Sequence, residues 1–389
     1  MSHSTLFSLA TNFDDSLIDK IDPCSVEEVY GRVENDGMGG GRPRFTVPGV
    51  SWSRLKEHIS RARRRGISFN YLLNDASSGT SDWASPKGYK RLRVFLDKLV
   101  DAGVHSITLV SPHLLRVVVR HTPLKVRVSV FARVDDVRKA GMWMEEGASV
   151  VMLDSMLVNR DPERLERIAD AVGGEHCELL VNNRCEMDYP WSPCHMVDLG
   201  KSSRRKIPVP DACYFHCQAS FFQDPVRLLI QDWIRPEDIS LYKRLGFRRF
   251  KLAGRGCSTE ELVVRARAYA EERYEGNLMD LLSRGELRLN WFTKLSAFFT
   301  YGFHSVSGLL KLARVASSLE GAVVIDNRAL DGYVDKIFQK GGCVPGRCFR
   351  CKMCRSFAAR AVRVDPAVRD ALEEIDRNLA SGDIWQPSL

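Results

Sequence analysis

Residues 89–110 read YKRLRVFLDKLVDAGVHSITLV, and this stretch contains the unit from which the fold is built. Its first part, Tyr89–Ala102, places apolar side chains every three or four residues, which is typical of an amphipathic helix. Gly103 then favours an end to the helix, and Ser106–Val110 is a short apolar run typical of a buried strand. The stretch therefore predicts a helix followed by a strand, as in a repeating βα arrangement.

The same alternation extends over the first 255 residues, with glycines again preceding strands at Gly66, Gly147 and Gly246. The predicted strands are Leu6–Ala10, Glu28–Arg32, Ile67–Leu73, Ser106–Val110, Lys125–Phe131, Ser149–Leu153, Glu178–Val181 and Arg248–Leu252. The predicted helices between them are Ser53–Arg65, Tyr89–Ala102, Asp135–Glu146, Asp161–Val172 and Pro236–Leu245. Eight strands with intervening helices over about 250 residues fit an α/β protein with a (β/α)8 TIM-like barrel. An open doubly wound sheet is the alternative, because strand order cannot be read from the sequence.

The pattern changes beyond Arg255, where longer helical stretches and a second group of cysteines occur. We expect a barrel over residues 1–285, with a cysteine-bearing insertion after strand seven, and a helical C-terminal extension over residues 286–389. The helices predicted there are Thr259–Tyr274, a region around Leu278–Leu287, Val306–Leu319, Ala329–Lys340, Arg355–Val364 and Asp365–Leu379. The glycine run Gly37–Arg42 lacks the strand and helix context of a phosphate-binding loop, so we interpret it as a mobile loop over the barrel mouth.

Composition limits the class of protein. A chain of 389 residues with 44% hydrophobic and 27% charged residues is an ordinary globular protein, which excludes collagen, a coiled coil and wholesale disorder. The aliphatic run Leu114–Val119 is far shorter than the ~20 apolar residues of a membrane span. The N-terminal residues do not resemble a secretory leader, so we expect a cytoplasmic protein.

The charge balance is mild, with 57 basic and 49 acidic residues and a net charge of +8. Such a chain accommodates an anionic substrate. The two basic runs, Arg61–Arg65 and Lys201–Lys206, are not interleaved with aromatic residues that would stack on bases, so a nucleic-acid partner is not favoured.

Eight of the eleven cysteines fall into two groups. The first comprises Cys185, Cys194, Cys213 and Cys217, and the second comprises Cys343, Cys348, Cys351 and Cys354. Clustered cysteines in a cytosolic chain more often bind metal than form disulfides. The first group is irregularly spaced and lies on the functional face of a barrel, which favours a catalytic centre, whereas its spacing alone does not separate zinc from an iron–sulfur cluster. The overlapping CxxC steps of the second group are compatible with a 4Fe–4S cluster or with a zinc ion.

Two histidines accompany the first cysteine group. His195 follows Cys194 directly, and His216 lies between Cys213 and Cys217. Each is a candidate ligand or proton carrier, with a surface role as the alternative. The sequence contains no GxSxG, HExxH or P-loop motif, so no local motif supports a serine, zinc or P-loop hydrolase.

The cysteine-bearing segment resembles that of the collagenase-like peptidase family U32. The resemblance lies in Leu180-Val-Asn-Asn-Arg-Cys185, Cys194-His195 and Cys213-x3-Cys217, and it continues through Trp233–Asp238, Phe250–Arg255 and Tyr274–Leu278. It covers about residues 182–280 well and the rest of the barrel less closely. The resemblance is to the iron–sulfur relatives in that family, which carry out oxygen-independent hydroxylation in anaerobic ubiquinone biosynthesis and on RNA, with prephenate implicated as the hydroxyl donor.

The resemblance implies a barrel that holds a 4Fe–4S cluster on Cys185, Cys194, Cys213 and Cys217, and it favours iron–sulfur over zinc there. In some relatives a ligand comes from elsewhere in the chain, so Cys24 or Cys257 is an alternative to Cys194. The second cysteine group would hold a second cluster or zinc.

The leading functional hypothesis is therefore an oxygen-independent hydroxylase, or a related redox enzyme, that acts on a small organic substrate with a prephenate-like donor. Arg255 is expected to bind a carboxylate, because a guanidinium matches a carboxylate in a bidentate manner. The other candidate site residues are Arg32 and Arg133 for anion binding, Asn74 and Asn182 for orienting hydroxyl groups, and His195 for proton transfer. A peptidase with a thiolate nucleophile and a histidine base is one alternative. A non-catalytic iron–sulfur protein that serves a protein partner is another.

Overall fold

A computed structural model describes residues 5–34, 36–44, 49–77, 83–204, 211–283, 303–319, 321–343 and 351–385. The strands are β1 (Leu6–Ala10), β2 (Val26–Gly31), β3 (Ser68–Leu73), β4 (Ser106–Leu109), β5 (Lys125–Val128), β6 (Val150–Met152), β7 (Cys177–Leu180), β8 (Arg249–Leu252), β9 (Val323–Ile325) and β10 (Val362–Val364). The first eight form a closed barrel in sequence order, and β8 pairs in parallel with β1. The predicted (β/α)8 barrel is confirmed, and the open doubly wound sheet is wrong.

Helices surround the barrel and form most of the C-terminal region. They are α1 (Asp15–Lys20), α2 (Trp52–Arg64), α3 (Pro86–Asp101), α4 (Pro112–His121), α5 (Val137–Glu145), α6 (Ser155–Val158), α7 (Pro162–Val172), α8 (Ser192–Arg204), α9 (Ala212–Gln223), α10 (Val226–Leu229), α11 (Ile239–Arg244), α12 (Thr259–Ala270), α13 (Phe303–Ser318), α14 (Tyr333–Gln339), α15 (Met353–Ala361) and α16 (Pro366–Ser381). No helix in the described part of the chain is long and apolar enough to cross a membrane.

Local sequence explains the helix α3 and the strand that follows it. The Ser85 side chain caps the helix by accepting a hydrogen bond from the Gly88 amide. Leu92, Leu96 and neighbouring apolar residues on one face are buried against the barrel. Gly103 has a φ of +82°, which L-residues rarely adopt, and this glycine turns the chain into β4.

The lower part of the barrel interior is filled with paired charges. The Ser8 hydroxyl lies 3.0 Å from Glu28 Oε1 and 2.7 Å from Glu178 Oε1. Arg127 Nη2 donates to Glu178 Oε1 at 2.6 Å, and Arg127 Nε lies 3.3 Å from Glu28 Oε1. Because these groups close the barrel from below, the open space lies above them, at the carboxyl ends of the strands.

The C-terminal region adds a small sheet and packs on the barrel. β9 and β10 pair antiparallel through Val323–Ile325 and Val362–Val364. Buried residues of this region, including Ile325, Tyr333 and Phe357, belong to the same apolar core as the barrel. The last helix, α16, packs against α9, which carries Cys213 and Cys217. The C-terminal region therefore supports the cysteine-bearing loop.

Several predictions for this region need correction. The helix predicted for Arg355–Val364 is wrong in its last three residues, because Val362–Val364 form β10, where β-branched side chains favour a strand. Leu278–Asp280 form a single 3-10 turn in the region predicted to be helical around Leu278–Leu287. Residues 284–302 lie outside the described residues. The helix α4 was not predicted, although its N-terminus carries the helix-start signal Ser111-Pro112.

Candidate active site

A cavity of about 130 Å³ opens at the carboxyl ends of the strands. Its floor consists of inward-facing residues of six strands, which are Tyr30, Leu72, Thr108, Met152, Leu180 and Lys251. Its walls come from the loops that follow the strands and from α8, including Arg42, Asn74, Cys185, His195 and Arg255. Functional sites of (β/α)8 barrels occupy this end, because the loops after the strands vary independently of the barrel. Four of the predicted site residues, Arg255, His195, Asn74 and Cys185, line this cavity.

Positive charge is concentrated in the cavity, because Arg42, Lys251 and Arg255 all line it. Within the described part of the chain, Arg255 forms no ion pair, and its Nη1 is buried without a hydrogen-bond partner. Burial, with the charges of Arg42 and Arg32 nearby, lowers the pKa of Arg255 to about 9. Arg42 donates from Nη2 to the Ser283 hydroxyl at 3.2 Å. A bound anion would therefore supply the charge and the hydrogen-bond acceptor that Arg255 lacks.

The glycine run lies at the mouth, as predicted, and its backbone is tied down by polar side chains. Arg32 donates from Nη2 to Asp36 Oδ1 at 2.5 Å, and the Tyr71 hydroxyl donates to Asp36 Oδ2 at 2.6 Å. The Gly41 amide donates to Asn74 Oδ1 at 3.0 Å. A Cβ atom at Gly40 would overlap the Arg32 side chain. Arg32 thus supports the loop from below and does not line the cavity, whereas Asn74 holds the loop and also faces the cavity.

Arg133 lies beside the cavity rather than in it. Its Nε is 3.2 Å from Asp154 Oδ2, and its Nη1 donates to the Ser192 hydroxyl at 2.7 Å, which ties the end of β5 to α8. Burial of Asp154 raises the pKa of its carboxyl to about 6, although Arg133 opposes this shift. Arg133 is therefore already paired with a buried carboxyl.

Asn182 is fully buried and makes three hydrogen bonds to the backbone. Its Nδ2 donates to the carbonyl oxygens of Ala253 at 2.9 Å and Leu281 at 3.0 Å. Its Oδ1 accepts from the Ala253 amide at 2.7 Å. The side chain does not line the cavity. The structure thus places Asn182 as a clamp between the ends of β7 and β8.

The first cysteine group comes together around α8, α9 and the end of β7. Cys185 follows β7 and lines the cavity, and Cys194 is exposed on α8. Cys213 and Cys217 are four residues apart on α9 and therefore share one face of that helix. Alongside burial, neighbouring thiols influence one another electrostatically: Cys217 raises the pKa of Cys185, Cys213 raises that of Cys217, and Cys194 raises that of Cys213. Each thiol thus has another member of the group within electrostatic range, and a common site on all four stays a prediction.

The spacing and acidity of these thiols bear on what they could bind. Burial raises the pKa of Cys213 to about 11 and that of Cys217 to about 12, and it raises the pKa of Cys185 as well. Within the described residues, no three of the four thiols lie within 4.8 Å of one another. Four thiolates on one zinc ion would be about 3.8 Å apart, given the usual Zn–S distance and tetrahedral geometry. Within the described residues the thiols are therefore not arranged to bind one zinc ion directly, and a 4Fe–4S cluster on them stays a prediction.

Carboxylates adjoin the same group. Ligand atoms of Asp198, Asp211 and Cys213 lie within 4.8 Å of one another, and this is the only such group of potential ligands in the described part of the chain. Asp211 also caps α9 by accepting a hydrogen bond from the Tyr214 amide at 3.0 Å. Oxygen ligands suit harder cations than thiolates do, so this mixed set is not the predicted four-thiolate site.

The two histidines have different surroundings. His195 lines the cavity, and its Nδ1 lies 2.7 Å from Asp211 Oδ2. His216 faces the C-terminal region, because its Nδ1 lies 3.1 Å from Asp376 Oδ2 on α16 and its ring stacks on Trp191 at 4.2 Å. His195 is thus the histidine that could exchange a proton with a bound molecule.

The alternative ligands differ in where they lie. Cys24 is exposed just before β2, at the amino end of the barrel, so it cannot reach the mouth. Cys257 follows β8 at the correct end, but its buried Sγ already accepts a hydrogen bond from Arg265 Nη1 at 2.9 Å. Cys194 remains the better placed fourth ligand.

Two members of the second cysteine group, Cys343 and Cys354, lie near Tyr333 and do not line the cavity. The Tyr333 hydroxyl is 3.2 Å from Cys354 Sγ, and Cys343 acts electrostatically on the same tyrosine. Cys351 is exposed, and Cys348 lies outside the described residues. A metal site at this position stays a prediction.

The sequence analysis did not identify Arg42, Lys251 or Asp211 as site residues. A signal for Lys251 was present, because a lysine within the predicted strand Arg248–Leu252 alternates with Phe250 and Leu252 and so faces the barrel interior. Arg42 follows the glycine run that was expected at the mouth. The pairing of Asp211 with His195 depends on how α8 meets α9, and no local pattern reports that contact.

Comparisons with known proteins find one relative by sequence and several similar solved structures. The chain is 27% identical over 330 residues to an uncharacterized protease of Methanocaldococcus jannaschii, an alignment that covers 84% of this chain and 86% of that protein. The solved structure of a U32 peptidase matches with a TM-score of 0.49 and 22% identity, covering 65% of this chain and 94% of that one. A copper homeostasis protein from Streptococcus agalactiae matches with a TM-score of 0.34 and 13% identity, covering 50% of this chain and 96% of that one. No protein-family model matches the chain.

Proposed function

We propose that this chain is an enzyme of the U32 peptidase-like family that binds a small anionic molecule in the barrel mouth beside a 4Fe–4S cluster. The proposed reaction is oxygen-independent hydroxylation, or related redox chemistry, of an organic substrate. The observation that carries the proposal is that Arg255 forms no ion pair within the described residues and that its Nη1 lacks a hydrogen bond, in a cavity that Cys185 also lines. A cation-rich pocket next to a set of four thiols suits an anionic substrate and a redox centre better than it suits peptide hydrolysis.

The residues of this chain have separate roles in the proposal. Arg255 and Arg42 bind and orient a carboxylate, because both guanidinium groups act on the same cavity. Asp211 Oδ2 lies 2.7 Å from Nδ1 of His195, so Nε2 is the atom proposed to exchange a proton with the bound molecule. Cys185, Cys194, Cys213 and Cys217 would hold the cluster, which supplies electron transfer when bound.

The hydroxyl oxygen is proposed to come from a donor acid of the prephenate type. Iron oxygenases bind dioxygen at a site of two histidines and one carboxylate with open positions. The described part of the chain contains no such ligand group. The carboxylates of a donor acid suit the same arginines that would bind a substrate.

A peptidase is the second candidate, because the relative from Methanocaldococcus jannaschii is named a protease and because His195 and Asp211 form a histidine–carboxylate pair. A cysteine nucleophile, however, requires a thiol whose pKa is lowered. Burial raises the pKa values of Cys185, Cys213 and Cys217 instead. These thiols are therefore poor nucleophiles unless a metal or cluster stabilises the thiolates.

The test begins with anaerobic purification, a visible spectrum, and measurement of iron, zinc and sulfide per chain. We expect a brown protein with about four irons for the first site, consistent with a cluster on four cysteines. Turnover is then assayed anaerobically with a donor acid and, separately, under heavy-oxygen gas. A colourless zinc protein, or gas-derived label in the product, would contradict the proposal. Hydrolysis of peptides by the metal-free protein would favour the peptidase, and a cluster without turnover would favour a non-catalytic partner protein.

A further inference from the structure

Lys251 occupies an unusual position in the floor of the cavity. It lies on β8, and its side chain points into the barrel, where 6% of the residue is exposed. Within the described residues its Nζ has no hydrogen-bond partner, although Lys251 lines the cavity. A buried lysine is normally paired, because removing an ammonium group from water is costly. An amine that faces a cavity without a hydrogen bond, with its ion-pair partner Glu178 as far as 4.0 Å away, therefore indicates a binding or reactive group.

The charges around Lys251 come from the neighbouring strand β7, from β2 and β5 elsewhere in the barrel, and from the loop after β8. Glu178 Oε2 lies 4.0 Å from Nζ, and the Tyr30 ring centre also lies 4.0 Å from Nζ. Burial lowers the pKa of Lys251, the positive charges of Arg127 and Arg255 act in the same direction, and Glu178 and Glu28 oppose them. Glu178 is already paired with Arg127 at 2.6 Å, so it is only partly available to the lysine. The neutral, nucleophilic form of the amine is thus more accessible than in an exposed lysine.

The same cavity holds the guanidinium groups that suit a carboxylate. Arg42 and Arg255 line it together with Lys251, and Arg255 follows Lys251 by four residues on β8 and its loop. A molecule that carries a carboxylate next to a carbonyl group can use both features at once. We propose that Lys251 Nζ forms an imine with the carbonyl carbon of a 2-oxo acid whose carboxylate is bound by Arg255 and Arg42. This inference rests on the anion site of the proposed function and does not depend on the cluster.

The step is balanced without an oxidant or reductant. The neutral amine attacks the carbonyl carbon, a C–N bond forms, and the carbonyl oxygen takes up a proton to give a carbinolamine. The single remaining N–H proton of the carbinolamine is then transferred to the hydroxyl group, which leaves as water, and the C=N bond forms. One amine and one ketone become one imine and one water.

The experiment is reductive trapping on the full-length protein with pyruvate, the simplest such acid. Purified protein is incubated with pyruvate and cyanoborohydride, and the adduct is located by intact mass and peptide mapping. We expect one reduced adduct on Lys251, no adduct there in Lys251→Met, and an unchanged adduct in the matched control Lys243→Met, since Lys243 is on the surface helix α11. Arg255→Met should lower the rate of labelling by at least about tenfold, because it removes a buried charged partner of the carboxylate.

The outcomes separate this inference from the proposed function. Malonate, an anion without a ketone, should protect Lys251 from labelling if both ligands use the same site. Malonate binding without any adduct on Lys251 would overturn the imine and leave the anion site intact. Labelling that is confined to exposed lysines, with no malonate binding, would overturn both. Because the adduct is mapped in the wild-type protein, the result does not depend on whether the Lys251→Met variant folds.

Discussion

Replacing Arg255 by methionine should make the protein more stable while removing anion binding. Arg255 and Arg32 are both arginines of the barrel mouth, and they differ in whether they are paired. Arg255 lacks an ion-pair partner within the described residues and has a buried Nη1 without a hydrogen bond, whereas Arg32 donates to buried Asp36 at 2.5 Å. Arg32→Met is therefore the matched control, since it removes the same side chain from a paired position.

The expected change in unfolding free energy follows from the cost of keeping a charged side chain buried without a partner. The pKa of Arg255 is lowered from 12.5 to about 9, chiefly by burial, which corresponds to at most about 5 kcal/mol for keeping the group charged. Water penetration and relaxation reduce this cost, and methionine keeps the packing of the apolar stem, so we expect Arg255→Met to gain about 1–2 kcal/mol of unfolding free energy. Arg32→Met should instead lose about 3 kcal/mol or more, because Asp36 keeps its charge in a buried position without its cation.

The assay is urea-induced unfolding of the three proteins, with and without malonate. Malonate should stabilise the wild type and Arg32→Met by binding to the native state, and it should not stabilise Arg255→Met. Arg255→Lys should fold normally and bind malonate more weakly, because the bidentate geometry is lost, while the visible spectrum of the cluster stays unchanged. If Arg255→Met loses as much stability as Arg32→Met, the guanidinium is a structural partner and the anion-site argument fails.

Three further predictions concern the surroundings of the cavity. Cys185→Ala or Cys217→Ala should lower iron per chain, whereas Cys24→Ala, at the opposite end of the barrel, should not; equal iron in all three variants would argue against the first site. Relative to Asp154→Asn, the wild type should lose about 3 kcal/mol of unfolding free energy in urea titrations as pH rises from about 3 to about 7, because native Asp154 holds its proton more tightly than unfolded Asp154. Asn182→Ala should lose about 3 kcal/mol through three backbone hydrogen bonds, and unchanged stability with lost activity would instead support the catalytic role first assigned to it.

The barrel could be predicted because its strands are buried on both sides. Seven of the eight predicted strands agree with the structure to within two residues. The fifth, Lys125–Phe131, was predicted three residues too long, because Val130–Ala132 form an apolar 3-10 turn after β5. The helix α4 was overlooked because its apolar run Leu114–Val119 contains β-branched residues typical of strands, and only its cap shows where the helix begins.

The sequence could predict which residues lie at the mouth of the barrel, because these residues follow the carboxyl ends of the strands. Residues at the carboxyl ends of strands were expected at the mouth, and Arg255, Asn74 and Cys185 line the cavity. A strand-end position does not reveal whether a side chain is already paired. Arg32 meets Asp36 four residues later, whereas Arg133 meets Asp154 and Ser192 across the fold, so only the three-dimensional arrangement separates paired arginines from Arg255.

Asn182 fixes the backbone at the end of β8, between the two cationic residues Lys251 and Arg255. Lys251 Nζ and Arg255 Nη1 both lack a hydrogen-bond partner within the described residues, and Ala253 lies midway between these two residues along the chain. Asn182 binds both the amide and the carbonyl group of Ala253, at 2.7 and 2.9 Å, and thereby fixes the backbone between the two cations. A ligand that contacts both groups needs their separation to be constant, since small displacements weaken a two-point contact strongly. We therefore expect Asn182 to act as a positioning residue, whose hydrogen bonds keep the amine and the guanidinium in register for one bound molecule.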